Sequence, residues 1–305
     1  MTSRSPEQCF ASYRSIILDF ADFCEKLRHP LPVHLRINTL KALVTETCLR
    51  LTRLGIQWIL EDPIDIVLRV RNGVRPGHLR EYSLGHLHSQ AFSSVLAGLI
   101  LDPKPASLVL DLCAAPGSKT TLLAQLMRNN GVIVANEKNP TRLIPLRTNL
   151  KRLGVTNTIS VCYPGQHFPK LLAFDRVLVD VPCSGEGTLR TGPDGTLRWS
   201  GQSGSRLPSL QRELLLRAFD LLAPNGILVY STCTYNPDEN ESVVQCLLDN
   251  RPASIEPISL DIPHAPGLER WQEITYDPSI RLCWRIYPHQ LDTVGFFLAR
   301  VGRAN

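Results

Sequence analysis

Two cysteines stand where apolar runs break into turn residues. In "DVPCSGEG", residues 180–187, the run "RVLVD" stops at Pro182 and hands over to Cys183, Ser184 and two glycines. In "VYSTCTYNPDENESVV" an apolar run ends at Cys233, just before a helix start. A buried strand that ends in Pro and loosens into Gly-rich turn chemistry puts its last side chains at the mouth of an open α/β sheet, where ligands bind. A thiol there can attack, assist another group or fill space, since free cysteine is among the most buried residue types. Residue type and position leave all three open. Asn236 as N-cap, Pro237 at the first helical position and Glu239 three residues after the cap form a capping-box pattern, so these acids are first explained as helix-terminus chemistry.

A second constellation is "VLDLCAAPGSKTTLLAQL", a strand, a tight small-residue turn and a helix. That arrangement brings a ligand close to backbone N–H groups at a helix N-terminus. It is neither a Walker P-loop, because Lys119 follows Ser118 rather than Gly, nor a G-x-G-x-x-G turn. About 20 residues further on, Glu137 ends "GVIVANE", where an acid in such folds accepts hydrogen bonds from ribose hydroxyls. An ordinary strand-end carboxylate is the equal alternative. A nucleoside-bearing cofactor fits this pair of features.

The elements that must hold these groups are legible from about Ser107 onward. "SLVLDLC", "GVIVANE", "TISVCY", "FDRVLVDVP" and "GILVYSTCT" alternate with helix-length segments, and "GFFLARV" stands near the end. Strands separated by helices imply a parallel, doubly wound sheet. Leu122, Leu123, Leu126 and Met127 recur at helical spacing, which predicts an amphipathic crossover. Pro145 should delay or kink the next helix. Residues 7–28 carry a helical apolar pattern, "HPLPVHLRINTL" is extended, and "KALVTETCLRLTRLG" reads as a helix closed by Gly55. The expected organisation is a helix plus small α+β domain over residues 1–82, ahead of an α/β domain over 83–305.

Size and charge narrow the classes. The 305 residues are 43% hydrophobic, ample for a packed core. No apolar run approaches membrane-spanning length and "MTSRSPEQCF" lacks the order of a secretory signal, so a cytoplasmic protein is expected. Nine cysteines without a C-x-x-C pair read as reduced thiols, and nothing in their spacing, or in "HLH" at 86–88, predicts a metal site. A net charge of +5 permits nucleic-acid binding without demanding it. Lys138, Arg142, Arg147, Lys151 and Arg152 form one acid-free basic cluster, and Arg190, Arg198 and Arg206 a second. Each reads as solvated surface or, because both flank the same strand ends, as a phosphate-binding rim.

Taken in order, "DLCAAPGSKT", "DVPCSGEGTLR" and "YSTCTYNPDENE" resemble the motifs of the RsmB/Sun/NOP-type (NSUN-like) RNA (cytosine-5)-methyltransferases. "RINTLK", "HSQAFSS" and "YPHQLDTVGFF" extend the resemblance over roughly residues 30 to 301. It implies a Rossmann-like α/β sheet with a reversed final strand, S-adenosyl-L-methionine as cofactor and a cytosine of ribosomal or transfer RNA as substrate, handled by a monomer. It further implies that Cys113, Ala114, Ala115, Pro116, Gly117, Ser118 and Lys119 cradle the cofactor, that Glu137 holds its ribose, and that Asp180 sits beside cofactor and base. Arg190 and Arg198 are the expected phosphate contacts.

The reaction explains why two thiols are needed. Carbon 5 of cytosine is a poor nucleophile, so a thiolate must first add at carbon 6. An acid at ring nitrogen 3 eases that addition, a role for Asp180 if its pKa is raised. The resemblance makes Cys233 the nucleophile and Cys183 the group that assists release, while DNA cytosine methyltransferases use the cysteine at the Cys183 position for attack. Three departures stand out: Pro164 in "YPGQ" replaces an aspartate that contacts the adenosine part, Val181 replaces a commoner Ala, and Val294 replaces an Asp. Pro cannot replace a carboxylate's hydrogen bonds. A factor that keeps the fold, binds RNA and has lost the cofactor is therefore the alternative, with a DNA or protein methyltransferase as a third reading.

Overall fold

The computed structural model describes residues 4–71, 73–192, 194–197 and 206–303. The apolar period at residues 7–28 is kept in burial but not in one helix. Helix α1 (Pro6–Cys9) gives way to a 3-10 turn at Ala11–Tyr13, and α2 (Phe20–Lys26) starts after Asp19, whose φ is 54°. Tertiary contacts win over the local period: Phe10 and Phe23 both pack edge-on against Tyr235, more than 200 residues away in the chain, and a bent segment lets both reach it. Phe10, Tyr13, Ile17, Phe23 and Leu27 lie in the core of the large sheet.

Residues 33–89 form an antiparallel sheet from β1 (Val33–Ile37), α3 (Val44–Arg53), β2 (Trp58–Glu61), β3 (Ile64–Val70), α4 (Arg80–Ser83) and β4 (Leu87–Ser89), in strand order β2-β3-β1-β4. Gly55, at φ +72°, follows α3 as the sequence predicts. The boundary expected at residue 82 is crossed: β4 pairs with β1, and residues 6–27 pack with the large domain instead.

The large sheet contains β5 (Leu108–Asp111), β6 (Val132–Asn136), β7 (Thr158–Val161), β8 (Phe174–Asp180), β9 (Leu222–Thr232), β10 (Ala253–Ile255) and β11 (Ala265–Pro266). The ribbon β12 (Arg270–Trp271) and β13 (Ile274–Thr275) stands apart, and β14 (Trp284–Ile286) and β15 (Phe296–Arg303) rejoin the sheet. The order is β11-β14-β15-β9-β8-β5-β6-β7, with β10 beside β15. Strands β5 to β9 pair in parallel, and β15 runs antiparallel to β9. The reversed final strand expected of the resemblance is present. Helices α5 (Phe92–Leu101), α6 (Ser118–Leu126), α7 (Pro140–Leu153), α8 (Arg206–Asp220) and α9 (Glu241–Asn250) accompany the sheet. Alternate residues of one strand enter different cores: Val177 and Val179 belong to one and Leu178 to the other, which is why the middle of "RVLVD" is apolar on both faces.

Two helix expectations are corrected. Helix α6 is buried nearly all round rather than amphipathic, because Arg36 of β1 covers its polar side and donates to Thr121 and Gln125. Helix α7 starts at Pro140 behind an Asn139 cap and runs straight through Pro145. Pro145 lies on the exposed side, while Leu143, Leu146 and Leu150 pack against Ala114, Ala115 and Ala135 and hold the helix in place.

Candidate active site

Strand β5 is where the chain order reverses: β6 and β7 are laid on one side of it, β8 and β9 on the other. Ligands of open α/β sheets bind in the crevice outside the carboxyl ends at such a point. The expected site residues converge there, on the strand ends and the turns after them.

After β5 the turn of residues 112–117 is tied down from several directions. The Ala114 N–H donates to Asn136 O at 2.8 Å, and Arg142 donates to Ala115 O. Pro116 O accepts from Asn149. Gly117 sits at φ +102°, and a Cβ there would come within 2.9 Å of Leu146 Cδ1, so only glycine closes this turn at no cost. Burial pushes the Cys113 thiol up, which marks it as a neutral wall residue. The Ser118 hydroxyl at the head of α6 meets His88 Nε2 at 2.9 Å. Burial, then Arg36 and Arg152, push His88 down to about 3, so its ring is neutral.

Glu137, at the end of β6, is 3% exposed. Its carboxylate accepts from the Asn139 N–H at 2.9 Å and pairs with Arg142 at 3.1 Å. Together with Leu112, Cys113, Lys138, Gly165, Gln166, Pro182, Leu210 and Leu214 it lines a cleft beside the strand ends. Asn136, which sequence reasoning missed, donates to Leu112 O and Tyr163 O and accepts from the Tyr163 N–H, joining three strand ends. Gln166 was also missed: its Oε1 is buried without a hydrogen-bond partner and its side chain lines the same cleft as Glu137.

Asp180 ends β8. Its Oδ2 lies 2.7 Å from Lys119 Nζ, and its Oδ1 accepts from Ser231 Oγ at 2.8 Å. The Lys119 ammonium also stands 5.3 Å from the centroid of the Phe296 ring. Beyond this pair the two cysteines meet: Cys183 Sγ and Cys233 Sγ are 3.3 Å apart, and the Cys233 N–H points at Cys183 Sγ. The thiols are not equivalent. The contact with the Cys183 thiol holds Cys233 below the ordinary thiol range, against burial and the nearby Asp180 carboxylate. Cys183 is pushed up by the same contact and by burial.

Glu239 is not a capping residue. Residues 237–240 form a turn and α9 starts at Glu241, because the Tyr230 hydroxyl donates to Glu239 O and the Glu239 carboxylate is turned inward. There it accepts from the Ser184 N–H at 3.0 Å and from Gln211 Nε2 at 2.8 Å, bracing the turn after Cys183.

Two members of the expected phosphate rim are internal braces, while Lys138, Arg142, Arg147 and Lys151 are exposed. The Arg190 guanidinium donates to the backbone oxygens of Gly187, Leu189 and Thr293, so its hydrogen bonds tie one loop to another rather than facing a ligand. Arg152 is likewise engaged, donating to Tyr82 O and Leu87 O and meeting His88 Nδ1. Arg198 lies outside the described residues.

Fold and site together define a Rossmann-like α/β class, with a parallel sheet closed by a reversed strand and its crevice at the switch point. The family model described as 16S rRNA methyltransferase RsmB/F matches residues 98–302, and the chain belongs to that family. A human 28S rRNA (cytosine(4447)-C(5))-methyltransferase is 39% identical over 292 residues, covering 92% of this chain and 36% of its own length. The chain thus spans about a third of that relative. A tRNA (cytosine(49)-C(5))-methyltransferase of Pyrococcus abyssi is 36% identical, with 93% of this chain and 92% of the relative covered. The crystal structure of a methyltransferase homolog protein from Pyrococcus horikoshii superposes with a TM-score of 0.82 at 36% identity, over 93% of this chain and 90% of that one.

Proposed function

We propose that the chain is an S-adenosylmethionine-dependent RNA (cytosine-5)-methyltransferase, a cytoplasmic monomer acting on ribosomal or transfer RNA. The observation that carries this reading is the pair of thiols 3.3 Å apart, beside the Asp180–Lys119 pair at the sheet's switch point. The relatives' names, which specify carbon 5 of cytosine in rRNA and tRNA, support the same substrate class.

The cleft suits the cofactor. Glu137 offers carboxylate oxygens to ribose hydroxyls, and Leu112, Pro182, Leu210 and Leu214 offer an apolar wall to an adenine face. The unpartnered Gln166 Oε1 supplies the polar contact that Pro164 cannot. When bound, S-adenosylmethionine supplies an electrophilic methyl group.

Cys233, the thiol held below the ordinary range, adds to carbon 6 of the flipped cytosine. Asp180 bears on ring nitrogen 3. It is paired with an ammonium rather than isolated, so the proton that addition requires at that nitrogen is available from Lys119 through Asp180. After methylation the carbon-5 proton passes to solvent, the carbon 5–carbon 6 double bond re-forms and Cys233 must leave as thiolate. The Cys183 S–H, within hydrogen-bonding reach, stabilises the departing sulfur.

Calorimetric titration with S-adenosylmethionine, paired with transfer of labelled methyl groups to total RNA from cells lacking the gene, tests this reading. Wild-type protein should bind the cofactor and label RNA at cytosine. Glu137→Ala should weaken cofactor binding by about 1.5 to 3 kcal/mol if charge-assisted hydrogen bonds to ribose are lost. RNA binding without any cofactor binding would favour the non-catalytic assembly-factor reading instead.

A further inference from the structure

The loop that carries Cys183 and the strand end that carries Cys233 are cross-braced by two buried carboxylates, one contributed from each side. Glu239, on the Cys233 side, holds the Ser184 N–H. Glu186, on the Cys183 side, accepts from Thr234 Oγ1 at 3.0 Å and from the Tyr235 N–H at 3.2 Å. The Gly187 N–H donates to Cys233 O at 2.9 Å, and Thr234 Oγ1 is 2.7 Å from Ser184 Oγ. The separation of the sulfurs is therefore set by a closed ring of hydrogen bonds, not by either loop alone.

Glu186 has one further partner, from a distant part of the chain. Tyr13 Oη donates to both of its carboxylate oxygens, at 3.1 and 3.2 Å, across 173 residues. Glu186 is 1% exposed, and among the described residues no cation pairs with it. An acid buried without a cation is costly and needs a full set of donors. Burial pushes Glu186 up to about 7. The same N-terminal segment grips this loop twice more, through the Thr191 N–H to Leu27 O and the Leu197 N–H to Arg4 O. Phe10 and Phe23 meanwhile wedge the edges of their rings against Tyr235. Residues 4–27 lie wholly outside the span matched by the family model, yet they touch both cysteine-bearing loops.

We propose that Tyr13 and Glu186 are positioning residues, a latch through which the N-terminal segment holds the Cys183 and Cys233 loops at working separation. This rests on the reading of the two thiols as the reactive pair. The latch acts through the loops and touches neither base nor cofactor.

The test uses the full chain with Tyr13→Phe, Glu186→Gln and the double variant, each of which keeps the side-chain shape. Three quantities are measured: kcat and the KM for S-adenosylmethionine with the same RNA, the rate of iodoacetamide alkylation of Cys233 located by peptide mass mapping, and thermal melting. The latch requires each single variant to lower kcat about tenfold, since small misplacements of reacting groups are costly. KM should stay unchanged, and Cys233 alkylation should slow severalfold as its 3.3 Å contact with Cys183 is lost. The double variant should behave like Glu186→Gln alone, since Tyr13 acts only through Glu186. Unaltered alkylation and kcat overturn the proposal. So does a lower melting temperature accompanied by unaltered alkylation, which would make the contact merely structural. If wild-type protein transfers no methyl group but the variants still slow alkylation, the latch stands and the methyltransferase reading falls.

Discussion

At the scale of single residues, two identical side chains differ only through their neighbours. Their mutual contact holds Cys233 below the ordinary thiol range, whereas the same contact and burial push Cys183 up. Cys233→Ala should therefore abolish methyl transfer while leaving the dissociation constant for S-adenosylmethionine within about twofold, because neither thiol lines the cleft. Cys183→Ala should add to the base and transfer methyl yet fail to release it. A denaturant-resistant protein–RNA band should accumulate in Cys183→Ala, and mass spectrometry should find the nucleotide on Cys233. The opposite assignment requires that band in Cys233→Ala and its loss in Cys183→Ala. Arg190 shows the converse lesson: its charge suggested phosphate, but its donors are committed to Gly187, Leu189 and Thr293.

At the scale of elements, the turn between β5 and α6 depends on a single glycine. Gly117 combines a φ of +102° with a backbone packed against Leu146 of α7, so the turn's shape depends on α7 as much as on its own residues. Gly117→Ala should cost about 1 to 3 kcal/mol in denaturant unfolding and weaken S-adenosylmethionine binding measured by calorimetry. Retention of wild-type stability and affinity would show that the turn can relax without consequence. Pro145, by contrast, interrupts the hydrogen bonding of α7 on its exposed side, away from the leucines that hold Gly117 and the Ala114–Ala115 wall.

At the scale of the whole molecule, the site is kept at the expense of alkaline stability. Burial pushes Asp111, under the β5 turn, up to about 7 from its ordinary 3.8, against a hydrogen bond from Thr120 that acts the other way. A carboxyl whose folded pKa is raised above its unfolded value binds its proton more tightly when folded. Its contribution is then fully present below about pH 4 and is lost as pH rises through about 7. A displacement of about three units corresponds to at most about 4 kcal/mol. In urea titrations between pH 5 and 8, wild type should lose unfolding free energy with rising pH relative to Asp111→Asn, whatever slope the other buried groups impose on both. An identical slope in the variant would remove Asp111 as its source.

Local patterns carried the catalytic half of the molecule because there the local and global demands agree. Apart from the edge strand β7, the strands from "SLVLDLC" to "GILVYSTCT" are buried on both faces, so they read as apolar runs, and the motifs sit on their ends. Strand ends can be placed from such runs alone, and with them Cys113 to Lys119, Glu137, Asp180, Cys183 and Cys233. What only the tertiary structure decided are contacts between groups far apart in sequence, to which periodicity is blind. The apolar spacing of residues 7–28 predicted one helix of a separate small domain, whereas the side chains it marks are buried in the large core, against Tyr235 and Glu186. The spacing around Glu239 predicted a helix cap, and the space beneath Cys183 claimed that carboxylate instead. A hydrogen-bond donor or acceptor names no partner until the chain has closed around it, so residue type revealed which groups could react, and packing determined which of them meet.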